Sequence, residues 1–186
     1  RAPQHAIALG KRCLRHLAGA RAHGLELRNP CRSRESGGQY HPILEGCGDA
    51  SSEEGFGQPG ALIKFRGMAV TWKSAKQAQV PRSTAESEVA AMAYAAQYVE
   101  GLKALCESIF AQVLTPTLWC DNRAAVHLAS SPGEWRTKAL VNRVLGVRSR
   151  IALNVLVALF NATLEMQPYC LTKYMGAKML TRQREL

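Results

Sequence analysis

The sequence is poor in several things. Only 6% of its 186 residues are aromatic, so a stacking platform of rings for nucleobases is not expected. Acids are outnumbered: 14 Asp and Glu stand against 24 Lys and Arg. No apolar run approaches membrane-spanning length, and the opening residues do not read as a secretory signal. The six cysteines are Cys13, Cys31, Cys47, Cys106, Cys120 and Cys170. They contain no Cys-x-x-Cys pair, and no His pair stands at zinc-finger spacing. Several fall in apolar runs, where free cysteine behaves as a small hydrophobe. They read as reduced and intracellular, with no disulfide partner.

What is present is positive charge, +10 net, spread along the chain. It favours a polyanionic partner, nucleic acid before an acidic membrane surface. The length suits one domain with a real core plus an appendage. The sequence opens on Arg1, and is expected to be a piece of a longer polypeptide. Ala6 to Leu17 reads as a basic amphipathic helix. Arg28 to Tyr40 is rich in Arg, Ser, Gly and Pro and reads as a linker. The expected boundaries are 1–30 for a preceding region, 31–41 for the linker and 42–186 for the main domain.

Within that domain, Ile43 to Ala50 contains a short strand ending near Asp49. Ala61 to Phe65 and Met68 to Trp72 form a hairpin turning at Arg66-Gly67. Ser83 and Glu86 make a capping box that starts a helix. Past it, Val89, Met92, Ala96, Val99, Leu102, Cys106 and Ile109 give one apolar face. Lys103 interrupts that face, and a lysine can snorkel out of it. Thr117 to Cys120 reads as a short buried strand ending at Asp121, and Asn122 caps a short helix through Ala129. Thr137 to Ile151 is helical. Val155 to Phe160 reads as a strand buried on both sides, and Tyr169 to Leu180 as a last helix. Strands first, then helices alternating with single strands, predict an α/β fold with helices packed on a mixed sheet.

Three carboxylates stand at informative places. Asp49 ends the first strand, Asp121 ends a central strand, and Glu88 projects from the first turn of the long helix at the edge of its apolar face. A buried carboxylate is costly unless something pairs with it. The plainer reading of Glu88 is an acid favoured by the helix dipole. Convergent carboxylates repel, and a hard divalent cation such as Mg²⁺ relieves them. Two such ions can activate a water and stabilise the leaving oxygen of a phosphoryl displacement. Trp119 and Cys120 read as core, and His127 as structural. Arg136, Arg143 and Arg150 recur every seven residues on one helix face, either as a phosphate-contacting stripe or as a solvated face.

The wording around these acids is specific. Trp72-Lys73-Ser74-Ala75-Lys76-Gln77, Ser83-Thr84-Ala85-Glu86-Ser87-Glu88, Cys120-Asp121-Asn122-Arg123-Ala124-Ala125 and Trp135-Arg136-Thr137-Lys138 resemble successive motifs of the ribonuclease H domain of copia-type retrotransposon polyproteins. Upstream, Lys11 to Gly19 resembles the segment joining reverse transcriptase to that domain, so 1–30 is implied to be the reverse transcriptase tail. The resemblance implies a ribonuclease H-like mixed five-stranded sheet that cleaves the RNA strand of RNA–DNA hybrids. It implies two Mg²⁺ ions, for which Mn²⁺ can substitute. The family's acids match Asp49, within Gly48-Asp49-Ala50-Ser51, then Glu88 and Asp121, as catalytic residues and metal ligands.

The implied partners are the hybrid and the reverse transcriptase domain of the same polyprotein. Lys73, Lys76, Arg123, Arg136, Lys138, Arg143 and Arg150 are the expected nucleic-acid contacts. Recognition is expected through shape and phosphates, with 2′-hydroxyls marking the RNA strand. The implied location is the cytoplasm or a virus-like particle, with a nuclear phase. Two departures stand out. Ala139 replaces the family's usual His, and the position of the fourth acid falls on Tyr169 or Cys170, with Glu165 the nearest acid. A catalytically inactive module that holds template–primer, or a relic, is therefore the competing expectation.

Overall fold

Eight consecutive buried residues, Leu44–Ser51, form strand β1. They are buried although few are large, because β1 is the middle strand of a five-stranded sheet ordered β3-β2-β1-β4-β5. β2 (Gln58–Phe65) lies antiparallel to β1, and β3 (Met68–Ser74) antiparallel to β2. On the other flank β4 (Thr117–Cys120) is parallel to β1, and β5 (Val157–Phe160) is parallel to β4. The sheet is mixed, as expected. The computed structural model describes residues 43–51, 57–77, 80–81, 83–131, 138–163 and 166–173, with 7, 8, 11, 14, 15, 18 and 19 before them. Those seven have helical backbone and are exposed; the linker lies outside the described residues.

The hairpin turns where expected. Arg66 and Gly67 both have positive φ, 50° and 78°, the pairing that matches the twist of two-residue hairpins. β2 begins at Gln58 rather than Ala61 because Gln58, Pro59 and Gly60 continue the pairing opposite Ser51, Ala50 and Asp49.

Helix α1 (Thr84–Phe110) has 27 residues and is about 40 Å long. Ser83 caps it, its hydroxyl oxygen accepting the Glu86 amide at 3.2 Å. Glu88 is the fifth helical residue, so it stands one turn further in than the sequence suggests. Val89, Met92, Ala96, Val99 and Cys106 are buried as their spacing predicts. Ile109 is instead exposed. The last turn reaches only the end of β2, where Phe110 stacks on Phe65 with centroids 5.6 Å apart. Lys103 is not free to snorkel: its Nζ donates to the Val155 carbonyl at 3.3 Å and lies 3.7 Å from Glu107. The helix rests directly on β1. A Cβ at Gly48 would come within 2.9 Å of the Ala91 backbone, so glycine sets that approach.

Asn122 caps α2 (Arg123–Ser130), accepting the Ala125 amide at 3.0 Å. α3 (Lys138–Ala152) packs on α1 and α2. The run Val155 to Phe160 departs from expectation. It supplies the edge strand β5, and Val157, Leu159 and Phe160 are exposed. Position in the sheet, which an apolar run does not encode, decides this burial. The last described helix, α4 (Tyr169–Thr172), packs on β1, β2 and β3; the rest of the expected helix to Leu180 lies outside the described residues.

Candidate metal centre

Three elements bring acids to one end of the sheet. β1 carries Asp49, which is 0% exposed. β4 ends at Cys120, paired with Gly48, and the next residue is Asp121. α1 sets Glu88 above them, 7% exposed. Ligand atoms of Glu88, Asp121 and the buried Cys120 all lie within 4.8 Å of one another. Asp49 is outside this closest group, yet near enough for its charge to act on Glu88.

The electrostatics follow from burial. The Glu88 carboxyl is pushed up to about 8, first by burial, then by the negative charges of Asp49 and Asp121. The ammonium of Lys173 and the Ala50 backbone amide oppose that rise. Glu88 Oε2 has no hydrogen-bond partner. Asp49 is also raised, mainly by burial, while the Thr172 hydroxyl and the Lys173 ammonium pull it back. Thr172 Oγ1 donates to Asp49 Oδ2, and Lys173 Nζ donates to Oδ1 at 3.0 Å. Burial raises the Cys120 thiol strongly, so it stays protonated.

The residues fit a divalent cation. A buried carboxylate oxygen without a partner, beside a second carboxylate, is the environment that a hard cation stabilises. Asp49 fits less simply, because both of its oxygens are already engaged. The protonated Cys120 thiol is a poor ligand for a hard ion.

The basic residues are scattered by comparison. Lys73 is exposed and lies over the rings of Tyr94 and Tyr98, 5.4 and 5.8 Å from their centroids. Lys76 and Arg143 line a cleft of about 280 Å³ with Gln77, Tyr94 and Gln97. The Arg123 guanidinium sits 4.6 Å from the Phe160 ring centroid. Arg150 is turned to Glu100, its Nε and Nη2 donating to one carboxylate oxygen at 2.8 and 2.7 Å. Arg143 and Arg150 therefore face different surroundings despite their seven-residue spacing. Arg136, Glu165 and the side chains of Lys138, Tyr169 and Cys170 lie outside the described residues.

Cys120 is core, as its apolar run implies, and it also stands beside two carboxylates. Its position next to Asp121 was the available signal. Thr172 and Lys173 stand in the sequence as Leu171-Thr172-Lys173, with nothing there to join them to Asp49. Cys47, Cys106 and Cys120 are free thiols.

No family model and no curated protein matches the chain. Solved structures do. LC11-RNase H1, solved in complex with an RNA/DNA hybrid, is similar with a TM-score of 0.52 at 12% identity, over 66% of this chain and 88% of that one. The N-terminal RNase H domain of Rv2228c from Mycobacterium tuberculosis gives 0.52 at 8% identity, over 78% and 98%. RNase H1 from the halophilic archaeon Halobacterium salinarum NRC-1 gives 0.50 at 10%, over 67% and 89%. At these identities the likeness is one of fold: the chain has the ribonuclease H fold.

Proposed function

We propose that this chain is a ribonuclease H-type nuclease that cuts the RNA strand of RNA–DNA hybrids, within the polyprotein of a copia-type retrotransposon. The observation that carries the reading is Glu88, a buried acid with an unpartnered oxygen beside Asp121 on a ribonuclease H fold. That LC11-RNase H1 was solved with an RNA/DNA hybrid supports the substrate class. The four sequence motifs support the parent element.

In this reading Glu88 and Asp121, with Asp49 beside them, would hold Mg²⁺, or Mn²⁺ in its place. When bound, such an ion supplies Lewis-acid stabilisation of charge developing on a phosphodiester. The chain's own residues bind and position. Lys73, Lys76 and Arg143 contact phosphates of the hybrid, Arg123, Arg136 and Lys138 add further contacts, and Arg150 serves Glu100 instead. β1 and α1 keep bulk water away from Glu88. Residues 1–30 are the tail of a reverse transcriptase region, 31–41 the linker and 42–186 the nuclease, with the reverse transcriptase domain as partner in the cytoplasm, a virus-like particle or the nucleus. No helix among the described residues is long and apolar enough to cross a membrane.

The test is cleavage of a hybrid duplex labelled on its RNA strand. Nicking is expected only with Mg²⁺ or Mn²⁺, and Asp121→Asn should remove it, because an amide of the same size lacks the charge. Metal-dependent cleavage that survives in Asp121→Asn refutes the assignment. One observation favours a second reading, a module that holds template–primer without cutting: both Asp49 oxygens are occupied by Thr172 and Lys173. Hybrid binding with no cleavage at any metal concentration would select it.

A further inference from the structure

Asp49 is a carboxylate with no exposed surface and two donors of its own. Lys173 Nζ lies 3.0 Å from Oδ1, and the Thr172 hydroxyl donates to Oδ2. These donors come from positions 124 and 123 residues away in sequence, so they are brought there by the fold. The delivery is built in. Ser74 Oγ donates to the Leu171 carbonyl at 2.7 Å, and Gln58 Nε2 donates to Ser74 Oγ at 2.8 Å. α4 is thus tied to β2 and β3. Gly60, the residue paired with Asp49, leaves room for it: a Cβ there would come within 2.5 Å of Thr172 Cγ2. The Lys173 side chain is itself 25% exposed, against 0% for Asp49.

We infer that this site takes a single divalent cation, on Glu88 and Asp121, and that the Lys173 ammonium on Asp49 supplies the second positive centre. The inference rests on the reading of Glu88 and Asp121 as metal ligands. Three carboxylates crowded in a buried site must be neutralised or protonated. One ammonium and one divalent cation balance three carboxylates. A second divalent ion would need Asp49 oxygens that Thr172 and Lys173 already use. It would also stand against an ammonium carried by the residue just past a tethered helix, and like charges at close range in a buried site repel strongly. A lysine suits the task because its ammonium is a compact point charge with donors that rotate to fit.

The test counts Mn²⁺ ions on the purified 186-residue chain without nucleic acid, using electron paramagnetic resonance of free Mn²⁺ and calorimetric titration. Wild type should bind one ion, and Glu88→Gln should lose it. Lys173→Gln, which frees Asp49, should bind two. Lys173→Arg, which keeps the charge, should return to one. Two ions on wild type leave the metal reading standing and overturn the inference. One ion on both wild type and Lys173→Gln also leaves the metal site standing, and overturns the role of Lys173. No ion on wild type overturns the metal reading and the inference with it. Should Lys173→Gln fail to fold, the wild-type count and Lys173→Arg still decide: two ions on either overturn the inference.

Discussion

Replacing Glu88 by Gln should stabilise the metal-free protein at neutral pH, and metal should close most of the gap. The Glu88 carboxyl is raised from 4.5 to about 8, mainly by burial and then by Asp49 and Asp121. Between those values the folded chain keeps a proton that the unfolded chain has released. The stability contributed by this group is therefore whole below about pH 4.5, falls as pH rises, and is gone above the folded value. Each unit corresponds to about 1.36 kcal/mol, so the loss reaches roughly 3 kcal/mol by pH 7 and roughly 5 above pH 8. The amide of the variant has the same shape and no proton to lose, so it escapes this loss.

Thermal unfolding in EDTA, followed by circular dichroism from pH 4.5 to 8.5, measures the difference. For a chain of this size about 2–4 °C accompanies each kcal/mol, so Glu88→Gln should melt about 6–12 °C higher at pH 7. The gap should close towards pH 4.5. Adding Mn²⁺ at about 100 times its dissociation constant should then stabilise wild type by about 2.7 kcal/mol and leave the variant unmoved. A variant that melts lower than wild type in EDTA at pH 7 refutes the reasoning. So does a gap that stays constant across the pH range, because a buried charge must titrate.

Two further outcomes test the fold and the surface. Gly48→Ala should destabilise by about 1–3 kcal/mol in urea unfolding, because the added Cβ meets the Ala91 backbone at 2.9 Å and backbone cannot swing aside; an unchanged midpoint would mean α1 does not rest on β1 there. Replacing Lys73, Lys76 and Arg143 together by Gln should flatten the log–log salt dependence of hybrid binding by up to about 0.9 per contact. Arg150→Gln should leave that slope nearly unchanged, since its guanidinium is paired with Glu100; a slope that responds to Arg150 and not to the other three would reverse the assignment of the binding surface.

Much of the fold was legible because local signals agreed with the global arrangement. The Ser83 and Asn122 caps, the Arg66-Gly67 turn and the apolar period of α1 are each fixed by nearby residues, and each appears where its chemistry puts it. Burial depends on neighbours that the local sequence does not name. Leu44 to Ser51 has modest apolar content and is wholly buried, because β2, β4 and α1 surround it. Val157 to Phe160 is wholly apolar and largely exposed, because nothing pairs beyond β5 among the described residues. Arg150 shows the same limit on a helix: a seven-residue period puts it near Arg143 in angle, but Glu100 on α1 takes its guanidinium.

The acids illustrate the limit most sharply. Their motifs name Asp49, Glu88 and Asp121, and two strand ends and the opening turns of a helix carry them to one end of the sheet. What the motifs could not express is the state of each carboxylate. Glu88 is left with an unpartnered oxygen, whereas Asp49 is held by two donors from the end of the described chain. The difference traces to α4. A helix of four residues has no stability of its own, so its place is set by what it touches: the Ser74 hydroxyl, the gap at Gly60 and the charge of Asp49. The same contact that seats the helix thus neutralises the acid. Among the described residues, this segment therefore brings a cation to the site, the Lys173 ammonium on Asp49.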